Sequence, residues 1–226
     1  MSKHLHQEFP KSVGKKEFWK QIKRTVNGKE VSENDIMMIV NAINSGLSIV
    51  ADDSLLDLGC GNAALASRLF PLIDKYVGLD FSKYLLKVAK DNFHIENKTS
   101  FKFFDLRKDK LWLPDNNISK VLIYGTISYL SKSEVKSLLT NLKEKLPNLK
   151  KIFIGNIPNI RYSSEFFSRR KLTNQKLNDP ESIIGVWWEP EDFSKLMENI
   201  GFYVNIRAMP ADFYGYKIRF DLVGST

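Results

Sequence analysis

The sequence predicts an α/β fold: a doubly wound sheet of seven strands, mostly parallel with an antiparallel C-terminal strand, and helices on both faces. Three observations carry this. Short apolar runs alternate with stretches of helical period along the 226 residues, the pattern of a parallel sheet covered by helices. The first run, Leu55–Leu58, ends in Gly59-Cys60-Gly61, where glycines permit a sharp turn and close approach of backbone to a ligand. After Gly201 come two alternating runs, Phe202–Ala208 and Tyr216–Val223, suited to an antiparallel pair at a sheet edge.

The elements follow in order. Residues 1–13 are polar and read as a loose tail. Lys15–Thr25 carries Phe18, Trp19 and Ile22 at helical spacing, and Asn27-Gly28 breaks it. Ser32 is placed to cap the next helix with Asp35 near N3, and Ile36, Ile39, Val40 and Ile43 form its apolar face. Strands are expected near 54–58, 75–80, 100–104, 119–124 and 150–155. Helices are expected near 62–70, 82–92, 131–146 and 190–200, the last opening on Pro190 with Glu191 and Asp192 in its first turn. Residues 1–30 read as an N-terminal lid or tail and 31–226 as one domain with an insertion at about 157–189. That connection is far longer than a strand-to-helix link requires, and such connections are usually functional or disordered. Its Tyr162, Phe166, Phe167, Trp187 and Trp188 argue against disorder. It is expected to cap the carboxyl ends of the strands, where open sheets bind ligands; the plainer alternative is a packing excursion without substrate contact.

Tyr76–Leu79 is a second apolar run and ends in Asp80. A carboxylate at a strand tip accepts two hydrogen bonds from a ribose diol. With the glycine turn, this describes a nucleoside-containing cofactor lying across strand ends. Gly59-x-Gly61-x-x-Ala64 also satisfies the dinucleotide fingerprint. Asp57 decides against that reading, because it would repel a pyrophosphate and attract an amino group or a sulfonium.

On these residues the sequence resembles the class I S-adenosylmethionine-dependent methyltransferases, of the bacterial small-molecule type, whose fold is Rossmann-like. Leu55-Leu-Asp-Leu-Gly-Cys-Gly61 is similar to motif I and Val77-Gly-Leu-Asp80 to motif II. Phe101-Lys-Phe-Phe-Asp105-Leu is similar to the third strand and Val121–Leu130 to motif IV. The resemblance runs from about residue 30 to the C-terminus. The third glycine common in motif I is Ala63 here, small enough to keep the turn. The resemblance implies S-adenosylmethionine as cofactor. It also implies cofactor contacts from Asp57, Gly59, Cys60, Gly61, Asp80, Phe81, Asp105, Leu106 and Tyr124, with Asp105 at the adenine amine.

Methyl transfer from a sulfonium is an in-line displacement, so holding the acceptor in line and excluding water supply much of the catalysis. An amine needs only to arrive neutral, whereas a hydroxyl needs a base or a metal. His4 and His6 lie in the tail and His94 follows the helix after motif II, so none is a persuasive base. No His/Asp/Glu set has metal-ligand spacing, and no metal is expected. Tyr129, just after the fourth strand, is the candidate catalytic group; Tyr124, Asn156, Tyr162, Glu165, Glu189 and Tyr214 are further acceptor-orienting candidates. Trp19, Arg24, Arg161, Tyr162, Trp187 and Trp188 are the candidate substrate contacts, from the lid and the cap.

Hydrophobic content of 43% without a long apolar run predicts one domain, no membrane span and no signal peptide. Cys60 is the single cysteine, which fits a reducing cytoplasm. The net charge of +8 is concentrated: eight lysines and arginines against three glutamates in residues 1–30, and five against one in 161–176. Either these are solvated side chains or both segments border the substrate entrance and favour an anion. Absent motifs set aside the amino-methylating enzymes with Asn/Asp-Pro-Pro-Tyr/Phe, the cytosine-C5 enzymes and the protein arginine enzymes. Three functions stay open. A methyltransferase acting on an anionic or sugar-like small molecule leads, an RNA methyltransferase follows, and a non-catalytic cofactor-binding protein is third. A dehydrogenase is a distant fourth.

Overall fold

The computed structural model describes residues 7–108, 117–172, 176–182 and 184–226; His4 and His6 fall outside them. The central sheet has seven strands: β1 (Ser54–Leu58), β2 (Lys75–Asp80), β3 (Thr99–Phe103), β4 (Lys120–Tyr124), β5 (Lys151–Pro158), β6 (Tyr203–Ala208) and β7 (Arg219–Ser225). Their order across the sheet is β3-β2-β1-β4-β5-β7-β6. The first five run parallel to one another, and β7 is antiparallel to both β5 and β6. The order reverses between β1 and β4, so their carboxyl ends flank the crevice in which such sheets bind ligands.

Four helices cover the sheet: α1 (Glu33–Leu47), α2 (Lys83–Phe93), α3 (Lys132–Lys145) and, after the short α4 (Ser163–Arg169) of the long connection, α5 (Pro190–Ile200). Side chains alternate across each strand, which splits the core into two layers. Leu56, Leu58, Val121, Ile123, Ile152 and Ile154 face α3 and α5. Leu55, Tyr76, Leu122 and Phe153 face α1 and α2. Ser32 caps α1 as expected: its hydroxyl accepts from the Asp35 N–H at 3.1 Å, and the Asp35 carboxylate accepts from the Ser32 N–H at 3.3 Å. Ser131 and Glu134 repeat this box at α3.

Two expected helices are shorter than their spacing suggested. Lys15–Thr25 contributes one turn, Phe18–Gln21, followed by a two-residue-per-strand hairpin about Asn27-Gly28. Residues 62–70 form no α-helix, only 3₁₀ turns at Ala66–Arg68 and Phe70–Leu72. Ala63 sits at φ 61, a left-handed conformation that stops a right-handed helix from starting at the glycine turn. Pro71 then removes an N–H and restricts Phe70. The amides facing the crevice are therefore those of a tight turn, not of a helix N-terminus.

The long connection leaves β5 at Pro158, passes through α4 and returns beside it, where Asn159 forms a parallel bridge to Trp188. Trp188 is 1% exposed and stacks on Phe193 of α5 with ring centroids 4.3 Å apart. Trp187, fully buried, lies 5.3 Å from the rings of both Phe166 and Phe167. The tryptophans thus anchor the connection to the core, because burying their large apolar area outweighs presenting it to a ligand. Replacing Trp188 by Ala removes a fully packed ring and should cost about 3–5 kcal/mol. The expected readout is a fall in melting temperature of at least about 6 °C; a melting curve that coincides with the parent would refute the anchoring role.

Candidate active site

One cavity of about 360 Å³ opens along the carboxyl ends of β1, β2 and β4, within the size range of small-molecule sites. It is assembled from residues far apart in the chain. Asp57, Gly59, Cys60 and Gly61 come from β1 and its turn, Asp80 and Phe81 from the tip of β2, and Asp105 and Leu106 from beyond β3. Tyr124, Gly125, Thr126 and Tyr129 follow β4. Gln21–Arg24 cover it from the N-terminal side, while Asn156, Ile184, Tyr214 and Arg219 close the far end.

The turn is fixed by its own hydrogen bonds. The N–H groups of Gly59 and Cys60 both donate to the Leu79 carbonyl, at 2.7 and 3.1 Å. The Asp80 carboxylate accepts from the Gly61 N–H at 2.9 Å and the Ser82 N–H at 2.7 Å, and each oxygen keeps a lone pair for a ligand. Gly59 has φ 79, and a Cβ there would strike the Thr126 side chain, so the position requires glycine. Asp57 accepts from the Tyr76 hydroxyl at 2.8 Å. Asp57 and Asp80 are 5% and 7% exposed, and no basic side chain pairs with either among the described residues. Burial raises both, Asp57 to about 7 and Asp80 to about 6, the hydrogen bonds opposing the rise in each case. Two buried, cation-free carboxylates beside a glycine turn fit an amino-acid nucleoside that carries positive charge. Cys60, half-buried beside the same groups, has its thiol pushed well up by desolvation first and then by the Asp80 and Asp57 charges; it packs there as an unreactive side chain.

The cavity gathers all nine cofactor candidates, together with Tyr129 and Arg24. The other five candidates do not line it. Trp187 and Trp188 are in the packed layers described above. Trp19 packs against the core beneath α1. Arg161, half-exposed, pairs with Glu189 and Glu191, and Tyr162 caps α4 at the surface side of the connection. The structure thus does not bring these five to the cavity: the tryptophans pack in or against the core, and Arg161 pairs with acids. Among the residues the sequence did not single out, Tyr76 anchors Asp57, Thr126 packs over Gly59 and Arg219 faces the cavity. Arg219 had a signal: Arg219 and Asp221 are the two charges on a strand that otherwise carries none.

The N-terminal segment is tied to the turn. The Asn62 side chain donates to the Phe18 carbonyl at 2.8 Å and to Gln21 Oε1 at 3.0 Å, and Phe18 packs edge-on against Phe93 at 5.1 Å. His94 lies away from the cavity, its ring beside the Thr99 hydroxyl at 3.1 Å. Among the described residues no group of three or more His, Cys, Asp or Glu could hold a metal ion, and no helix is long and apolar enough to cross a membrane.

Residues 55–148, which contain the turn, the strand-tip acids and Tyr129, match the family model described as a methyltransferase domain. No curated protein matches the chain. Among solved structures it is similar to magnesium protoporphyrin IX methyltransferase from Synechocystis PCC 6803 with bound SAH, at 14% identity and TM-score 0.63 over 92% of each chain. It is also similar to a TehB-like SAM-dependent methyltransferase from Corynebacterium glutamicum ATCC 13032, at 14% identity and TM-score 0.60, covering 94% of this chain and 97% of that one. The methyltransferase domain of a bacterial Hen1 matches at 18% identity and TM-score 0.60, covering 85% and 99%. At such identities the likeness carries the fold. With the matched domain and the strand-tip acids, the class is defined: the chain carries a class I methyltransferase domain. The matched residues 55–148 are a methyltransferase domain.

The raised carboxylates set a pH dependence. In the folded protein Asp57 and Asp80 hold protons to higher pH than in the unfolded chain, so without ligand they subtract stability as pH rises from about 4 to 7. A cationic ligand favours their ionised forms and reverses the loss. Calorimetry should therefore find S-adenosylhomocysteine, which keeps the amino group, bound about tenfold more tightly at pH 7.5 than at pH 5.5. Asp57→Asn should remove most of that slope; an unaltered slope would sink the assignment.

Proposed function

We propose that the protein methylates a small molecule bound at the tyrosine-lined end of the cavity. The carrying observation is the single cavity that runs from the Asp57 and Asp80 carboxylates to Tyr129, Tyr214 and Arg219. When bound, S-adenosylmethionine supplies a methyl group on a sulfonium, already a strong electrophile. The chain's own residues bind, orient and exclude water. Asp57 suits the amino group of the cofactor, Asp80 the ribose diol and Asp105 the adenine amine, with Phe81, Leu106 and Tyr124 as apolar walls. Arg24 lies over the Tyr124 ring at 4.8 Å and close to Gly125, and its Nε has no partner. In this reading it faces the cofactor's carboxylate, as Asp57 faces its ammonium. Tyr129 orients the acceptor. Burial raises its phenol, with Arg219 opposing, so it stays protonated at neutral pH and donates a hydrogen bond.

Residues 1–30 act as the lid and 157–189 as the cap in this reading. The Asn62 latch on residues 18–21 and the Ile184 contact support it. A cytoplasmic location is part of the same reading, supported by the lone cysteine. The likeness to the bacterial Hen1 domain and the basic excess favour a second reading, an RNA acceptor, although only an extruded base or a strand end would enter a cavity of this size.

Three measurements test the proposal. Labelled methyl transfer should label a metabolite pool and leave RNA unlabelled; the converse result favours the RNA reading. Asp80→Ala removes charge-assisted hydrogen bonds worth about 1.5–3 kcal/mol each, so cofactor affinity should fall at least about tenfold in a folded variant. Tyr129→Phe should lower kcat about tenfold through one lost hydrogen bond and leave cofactor affinity unchanged; an unchanged kcat would remove Tyr129 from the site.

A further inference from the structure

Five of the arginines have found partners. Arg68 pairs with Glu33, Arg107 with Glu181, Arg161 with Glu189 and Glu191, and Arg169 with Glu165. Arg207 donates to the Ser45 hydroxyl and the Ala42 carbonyl. The remaining three, Arg24, Arg170 and Arg219, have no ion-pair partner among the described residues. Arg24 is accounted for above by the cofactor's carboxylate. Arg219 lines the far end of the cavity, and Arg170 lies outside the lining.

Arg219 opens β7 opposite Pro158 of β5 and lines the cavity with Tyr124, Tyr129 and Tyr214. Its guanidinium lies 5.8 Å from the Trp187 ring centroid. Arg170, at the end of α4, rests its guanidinium 3.9 Å over the Phe166 ring and is near enough for its charge to oppose that of Arg219. Burial lowers both guanidinium groups from their usual range, yet a guanidinium stays charged. The nearest acid on the strand does not neutralise them. Asp221 accepts from the Asn156 N–H at 2.8 Å, is pushed up by burial to about 7, and feels Arg207 instead. The Tyr124 hydroxyl is buried in the same cavity, beside Arg24. A guanidinium that lines the cavity without a carboxylate partner among the described residues carries charge that a bound anion would offset.

We propose that Arg219 holds an anionic group of the methyl acceptor, a carboxylate or a phosphate, and so restricts the enzyme to small organic anions. The inference rests on the methyl-transfer reading. Arginine suits the task because its planar fork binds such groups bidentately. The tyrosines supply flat walls for a ring or planar chain attached to the anion. Arg161 and Arg169, basic residues of the same connection, are already neutralised and take no part.

The test uses the full chain loaded with S-adenosylhomocysteine, whose affinity is first measured by calorimetry in the parent, Arg219→Gln and Arg219→Lys. Benzoate, phenyl phosphate and neutral benzamide are then titrated into each complex, with melting temperature as readout. One or both anions should stabilise the parent complex saturably and benzamide should not; which anion binds distinguishes carboxylate from phosphate. Arg219→Gln should weaken anion binding at least about tenfold with the nucleoside affinity unchanged, and Arg219→Lys should fall between. If Arg219→Gln does not fold, the parent's preference for benzoate over benzamide still decides. Equal effects of benzoate and benzamide, no binding of either anion, or a Gln variant that loses nucleoside affinity would each overturn the proposal. A parent that binds no S-adenosylhomocysteine would overturn the methyl-transfer reading and this inference together.

Discussion

The carboxylate of Asp80 ties the site together. One oxygen accepts from Gly61 in the turn after β1, the other from Ser82 at the start of α2. One side chain thus fixes the relative position of two strand tips, the turn between them and the helix that follows. It does so while buried, so its ionisation is opposed by desolvation and supported by those two amides. The left-handed backbone at Gly59, Gly61 and Ala63 depends on this bracing. Thr126 completes it from β4's side by filling the space above Gly59.

Around this brace the chain sorts its large and charged side chains. The aromatic residues of the long connection go inward and make it a packed part of the domain, with Trp188 on α5 and Trp187 between two phenylalanines. The acids of the same connection take Arg161 and Arg169. What is left facing the cavity is a small set: the tyrosines, Asn156, Ile184 and Arg219. Substrate choice therefore depends on few side chains set on a heavily anchored support, which suits a reaction limited by alignment of the acceptor.

The sequence made the sheet and the cofactor half of the cavity legible for a physical reason. Gly59-x-Gly61, Asp57, Asp80 and Asp105 each follow a strand whose apolar run is visible, so their placement at one edge follows from topology. Capping at Ser32 and Pro190 was local and equally legible. The acceptor half was legible only in part: Tyr129, Asn156, Tyr214 and Arg24 are sequence candidates that line the cavity, and Arg219 is not among the candidates. Arg219, Tyr214 and Arg24 meet only through tertiary packing, and whether an arginine faces a cavity or an acid depends on neighbours distant in the chain. Trp187 and Trp188 lie in the packed layers and not in the cavity lining, a difference the sequence does not carry because aromatic residues in a long connection serve packing and recognition alike. Residues 62–70 misled because helical spacing is silent about the left-handed step at Ala63.

The strand order has a consequence for how the domain is made. β7 lies between β5 and β6 in the sheet but follows both in the chain. Until residues 219–225 are synthesised, β5 presents one open edge and β6 has no neighbour to join. Every pairing on that side of the sheet therefore waits for the same late segment, and such non-local closure is slow. A nascent chain in this interval exposes Ile152, Ile154 and Ile157 along an unpaired strand, a template for association with other chains. Chaperone dependence during synthesis should be concentrated in that interval, and Arg219 joins the cavity only when it ends.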